Sequence, residues 1–151
     1  SGIVELIDIE TGEIFNHPKH YFIDRFNESP LGIITETLKK FESEILVFCF
    51  LARADGYLRK NERRIIINYL IEKTNLELDT ELLEDEIRRT YCDNLEFRKA
   101  LKKINKKSEI VRKEILQTSD RIVNTDKKTD KMEFGVFELI KENLEVETSS
   151  V

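Results

Sequence analysis

Between residues 31 and 52 the apolar positions fall at Leu31, Ile34, Leu38, Phe41, Ile45, Phe48 and Ala52, in alternating steps of three and four. That spacing returns to one face of a helix on every turn and predicts a single helix of about six turns. From Ile45 onward, Val47, Cys49, Phe50 and Leu51 add apolar side chains on the remaining faces. The second half of this helix is therefore expected at the centre of the fold, wrapped by neighbours. Ala54-Asp55-Gly56 ends it, with Gly56 suited to the left-handed residue beyond a helix end. A second helix is expected from about Arg59 to Lys73, with Ile65, Ile66, Tyr69 and Leu70 on one side and Ile67 and Ile71 on the other. Asp79 or Thr80 can cap a third, carrying Leu82, Leu83, Ile87 and Tyr91, and Asn94 a fourth, carrying Phe97, Leu101 and Ile104. Ser108 opens a fifth with Val111, Ile115, Thr118 and Ile122, and Asp130-Lys131-Met132-Glu133 has capping-box spacing ahead of a sixth with Phe137, Ile140 and Leu144.

The alternation differs at the start of the chain. Residues 3 to 9 are β-branched and mostly apolar, and Thr11-Gly12 separates them from Glu13-Ile14-Phe15 as a tight turn would. A hairpin of this size is marginal alone, so its apolar face is expected to lie on something larger. The expected fold is mainly α: a bundle of six to seven helices containing a duplicated αα-hairpin, plus a small N-terminal β-hairpin. The expected organisation is a hairpin extension over residues 1–28, packed on the bundle, a helical domain over 29–145, and a patternless, disordered tail over 146–151.

Composition narrows the class without naming a function. With 151 residues the chain suits one domain with one core. Two prolines and five glycines leave few places to break helices. The 25 basic residues against 30 acidic ones give a net charge of −5, which argues against a surface that is a nucleic-acid footprint throughout and leaves room for a local basic patch. Cys49 and Cys92 are too far apart for metal-ligand spacing and too few for a disulfide framework, so both are expected as buried, reduced thiols. The longest apolar run, Ile45 to Ala52, falls far short of the roughly 20 residues that span a bilayer, and no signal peptide is visible. A cytoplasmic protein without membrane insertion is the expectation.

Two helix-to-helix corners match each other. Ala54-Asp55-Gly56 is followed by Glu62, and Thr125-Asp126-Lys127 by Glu133; in each copy the Asp precedes the Glu by seven residues, and the copies are offset by 71. Tyr69-Leu70-Ile71-Glu72-Lys73 and Leu139-Ile140-Lys141-Glu142-Asn143 close the two copies with related strings. This reads as a duplicated αα-hairpin. If the copies pair about a local two-fold axis, their corners bring four carboxylates together. Leu51-Ala52-Arg53-Ala54-Asp55-Gly56, then Leu58 and Glu62, resembles the TerB-like fold, the helical domain of tellurite-resistance proteins, over roughly residues 40 to 145. The resemblance implies an all-α fold with duplicated hairpins, serving stress-response and defence systems as a non-catalytic module. It also implies acidic corner residues that bind Ca²⁺ or another divalent cation, here Asp55 and Glu62 in the first copy and Asp126 and Glu133 in the second. The chain departs from the family pattern at Lys127-Lys128, whose ammonium groups oppose a cation at Asp126, and at Arg59, where a Ser, Thr or Asp cap is usual.

The same residues suit other chemistry less well. Asp55, Gly56, Leu58 and Glu62 occupy positions of an EF-hand loop, but its entry positions would be Leu51 and Arg53, which supply no carboxylate oxygen for an ion needing six to eight ligands. Asp55 and Asp126 also suit backbone-bonding turns, and Glu62 and Glu133 suit capping at the third helical position, with no ligand involved. His17, His20 and Asp24 straddle Pro18 and do not make a converging zinc set. No phosphate loop, nucleophile elbow or Cys-His pairing is present, and two histidines in one loop offer little acid-base chemistry near neutral pH. A metal-dependent hydrolase is retained only because four carboxylates would converge. Residues 98 to 113 hold eight basic residues against Glu109, next to the acidic tract 77 to 96. Lys99, Lys102, Lys103 and Lys106 fall opposite the Phe97-Leu101-Ile104 stripe as one basic face. That face is expected to be solvated and partly paired with the acidic tract, or to dock an anionic partner. The leading expectation is a non-enzymatic binding or sensing module with a protein partner. The alternative is an accessory domain of a larger nucleic-acid-processing protein, docked through the basic helix.

Overall fold

Ser29 starts the helical part of the chain: its Oγ accepts the N–H of Gly32 at 3.1 Å, and Pro30, which has no N–H to leave unsatisfied, takes the first helical position. The computed structural model describes residues 29–125 and 131–144 in full, and residues 3–7 and 14–18 by their backbone. Among the described residues seven α-helices follow in order: α1 Pro30–Lys40, α2 Glu42–Ala52, α3 Lys60–Thr74, α4 Thr80–Arg89, α5 Asn94–Asn105, α6 Glu109–Val123 and α7 Lys131–Leu144. The backbone of β1, Ile3–Ile7, pairs antiparallel with β2, Ile14–Pro18, placing Ile3 opposite Pro18 and Ile7 opposite Ile14. The packing expected of this pair on the bundle, and the tail beyond 144, lie outside the described residues.

The run of apolar residues on every side of α2 has the consequence expected of it. Val47, Phe48, Cys49, Leu51 and Ala52 are wholly buried, and α2 packs against α1, α3, α5, α6 and α7. Phe48 meets the Tyr69 ring edge-on at 5.0 Å, and Phe50 stacks on Phe97 at 4.1 Å. Burial of Phe48 and Phe97 alone contributes on the order of 2–3 kcal/mol each before the entropy of ordering them is set against it.

Three local expectations are corrected. The stripe from Leu31 to Ala52 is one apolar face but two helices: Phe41 leaves helical geometry at φ −107°, ψ 23°. The ladder survives the break, because Phe41 donates to the Thr37 carbonyl at 3.0 Å and accepts from Ile45 at 3.0 Å. The buried Phe41 ring packs edge-on to Tyr69, 6.4 Å away, so tertiary packing holds the bend where no glycine or proline marks it. Tyr91 is not part of the α4 stripe: the helix ends at Arg89 and Tyr91 is 76% exposed. The cap of α5 is Asp93 rather than Asn94, its carboxylate accepting the N–H of Glu96 at 2.7 Å. Asp79 caps α4 by accepting from Glu81 and Leu82, and Ser108 caps α6.

Two of the helical pairs carry the 71-residue offset into three dimensions. α2 ends at Ala52 and α6 at Val123, while α3 begins at Lys60 and α7 at Lys131. Several buried positions follow the same offset, Val47 with Thr118, Leu51 with Ile122, Ala52 with Val123 and Tyr69 with Ile140, while buried Cys49 and Leu70 correspond to exposed Asp120 and Lys141. Among the described residues no helix is long and apolar enough to cross a membrane.

Candidate functional site

The first acidic corner is built by a 3-10 turn, Arg53–Asp55, that closes α2, and by Gly56 at φ +97°, which reverses the chain. Only glycine adopts that backbone conformation without strain from a Cβ. The corner then points Asp55 back on its own loop. One carboxylate oxygen accepts the N–H of Tyr57 at 3.0 Å, and the other holds the Arg59 guanidinium at 2.8 Å. Arg59 also lies over the Tyr57 ring, 5.7 Å from its centre. Glu62, third residue of α3 and 1% exposed, reaches back to accept the Arg59 N–H at 2.8 Å. This is the carboxylate half of a capping box, satisfying an N–H that the helix itself leaves open. Arg63 ties the corner further, donating to the Leu58 carbonyl at 2.8 Å and to Glu84 on α4 at 3.0 Å. Arg53 donates to the Arg88 carbonyl at 2.6 Å, closing the last turn of α4.

In the second copy Glu133 is likewise the third residue of its helix and likewise buried. Asp126 lies outside the described residues. α7, which carries Glu133, packs directly against the 3-10 turn that carries Asp55. Thus the helix bearing the second corner's glutamate meets the first corner.

Chemically, the first corner does not offer a hard cation an open oxygen cage. Both oxygens of Asp55 are engaged, one by a positive guanidinium, and among the described residues no three His, Cys, Asp or Glu side chains converge on one point. A Ca²⁺ ion takes six to eight oxygen ligands. For a divalent ion to sit at Asp55, Arg59 has to leave it.

Lys99, Lys102, Lys103 and Lys106 are all exposed, while Phe97, Ala100, Leu101 and Ile104 on the opposite side of α5 are buried. The pairing expected between this face and the acidic tract is not what the described ion pairs form. Glu84 pairs with Arg63, Asp85 with Arg88 and Glu86 with Arg89, and the basic tract sends Lys107 to Glu44 of α2. Glu44 went unnoticed in the chain although its position announces it, three residues past Phe41 and four before Phe48 on the core stripe. It is fully buried, and its charge adds to burial, the larger cause, in raising the Tyr69 hydroxyl pKa.

Cys49 and Cys92 are free and buried. Burial pushes the Cys49 thiol up to about 12 against the opposing influence of Arg53, and pushes Cys92 up to about 12 with help from Glu96 and Asp93. Both stay protonated at neutral pH, and the thiolate is the reactive form. A polar cleft of about 280 Å³ lies between α3 and α6, lined by Tyr69, Lys73, Glu114, Thr118 and Arg121 and crossed by a Lys73–Glu114 ion pair. No protein-family model matches the chain, and neither a curated protein nor a solved structure matches it.

Proposed function

We infer that the protein is a non-enzymatic binding or sensing module of the TerB-like kind, acting with a protein partner in a bacterial stress-response or defence system. The observation that carries this reading is the equivalence of the two helical pairs. The same 71-residue offset relates the helix ends that flank the two corners, several buried positions and the two buried glutamates, each the third residue of its helix. Such equivalence supports an internally duplicated hairpin, and α7, which carries Glu133, packs against the turn that carries Asp55. The Arg59 guanidinium on Asp55 gives this module a built-in competitor for any cation: an arriving divalent ion displaces Arg59, and the corner loop changes with it.

The test is isothermal titration with CaCl₂, MgCl₂ and MnCl₂ on three proteins: wild type, Asp55→Asn and Arg59→Ser. Heat that grows in Arg59→Ser and vanishes in Asp55→Asn supports a cation-sensing corner. Silence in all three, with unchanged melting temperatures, removes the cation and leaves a partner-binding module whose corner is structural.

A further inference from the structure

We propose that the outward face of α5 docks the phosphate backbone of a nucleic acid, with Lys99, Lys102, Lys103 and Lys106 as the contacting groups. The inference is independent of the acidic corners and stands on three features of this face.

The first is that its charge is left open among the described residues. None of the four lysines takes part in an ion pair among the described residues, although each is exposed and acids are abundant elsewhere in the chain. On a helix, Lys99 neighbours Lys102 and Lys103, and Lys106 neighbours both again, so the row repels itself at every three- and four-residue step. The helix dipole offsets this only in the last turn. A face selected for stability alone would intersperse acids, as α4 does with Asp85 and Arg88.

The second is that three acids of the neighbouring tract are engaged away from it, while Glu96 stands three residues ahead of Lys99 at its N-terminal edge. Glu84, Asp85 and Glu86 are each held by an arginine of α3 or α4. The net charge of the chain matters little at this range, because potentials fall off within about 8 Å at physiological salt. Antiparallel packing of α2 on α5 also sets the basic end of α1 at the same end of the bundle. Phe50 lies on Phe97 and Glu44 binds Lys107, so the chain just ahead of Glu44, with exposed Lys39 and Lys40, comes to the C-terminal end of α5.

The third is how little apolar surface the face carries. Exposed Leu95 stands at its N-terminal end, and the other exposed large apolar residues, such as Ile110 and Met132, lie on other elements. Protein interfaces are centred on apolar and aromatic anchors and are depleted in lysine, whereas phosphate contacts need only positioned positive charge. From Lys99 to Lys106 the helix rises about 10 Å, a span over which a duplex presents about six phosphates. Four lysines on that span neutralise backbone charge without reading sequence.

Fluorescence anisotropy with labelled single- and double-stranded DNA and RNA oligonucleotides tests this. Binding is expected at low salt without sequence preference, weakening about a hundredfold between about 50 and 200 mM salt, as four phosphate contacts require. Changing Lys99, Lys102, Lys103 and Lys106 together to Gln should abolish binding and flatten the salt dependence. The exposed pair Lys60→Gln with Arg64→Gln on α3 should leave both unchanged. Lys102→Glu with Lys106→Glu provides a second, smaller perturbation, and thermal melting checks that every variant is folded. Absence of binding at low salt, or full binding by the quadruple variant, overturns the proposal. So does binding of poly-glutamate in place of oligonucleotides, which would make this face a site for an acidic protein.

Discussion

Glu44 shows how a single residue departs from its surroundings. It occupies a core position, 1% exposed at its side chain, and its charge is met by Lys107, which lies just past the end of α5 with its side chain 36% exposed. Its second oxygen has no hydrogen-bond partner among the described residues. A buried carboxylate with one partner is sensitive to loss of that partner, because the desolvation cost stays when the attraction goes. Lys107→Met is therefore expected to destabilise the protein by about 3 kcal/mol in urea denaturation. Replacing both residues by Met should recover much of that loss, since a neutral pair of similar volume carries no uncompensated charge. A Lys107→Met variant as stable as wild type would show that the pair is worth nothing. The acid on the apolar stripe is visible in the chain; its partner, 63 residues away, is not.

At the scale of elements, helix ends were the most legible feature and helix continuity the least. Gly56, Asp79 and Ser108 mark boundaries through local chemistry: a left-handed turn and side chains that satisfy open N–H groups. Gly56→Ala is expected to lower stability by about 1–2 kcal/mol, read as a fall in melting temperature. A Cβ there meets nothing within 4 Å, so the whole cost is backbone strain and no cavity or clash contributes. The break at Phe41 has no such local signal. Its apolar periodicity runs straight through, and the bend exists because Phe41 and Phe48 both pack on Tyr69 of α3. Tyr91 is the converse case: an aromatic at helical spacing that the end of α4 leaves in solvent.

For the molecule as a whole, α2 is the element on which the others close. Its backbone amides from Val47 to Leu51 should exchange with solvent only on global unfolding, and hydrogen exchange should rank them the slowest in the protein, with the ends of α4 much faster. Fast exchange in α2 would mean that the bundle opens around it. The mainly helical class, the central place of the Ile45–Ala52 run, the turn at Gly56 and the lysine face of α5 were legible along the chain. Each depends on residues within a few turns of one another, and helical periodicity reports which side of an element meets the core. What tertiary structure alone decided is who meets whom: Glu44 with Lys107, Arg53 with the end of α4, and α7 against the first corner. These depend on how separate helices pack, a choice made by side-chain shape and charge satisfaction across long sequence separations, which a one-dimensional pattern does not encode.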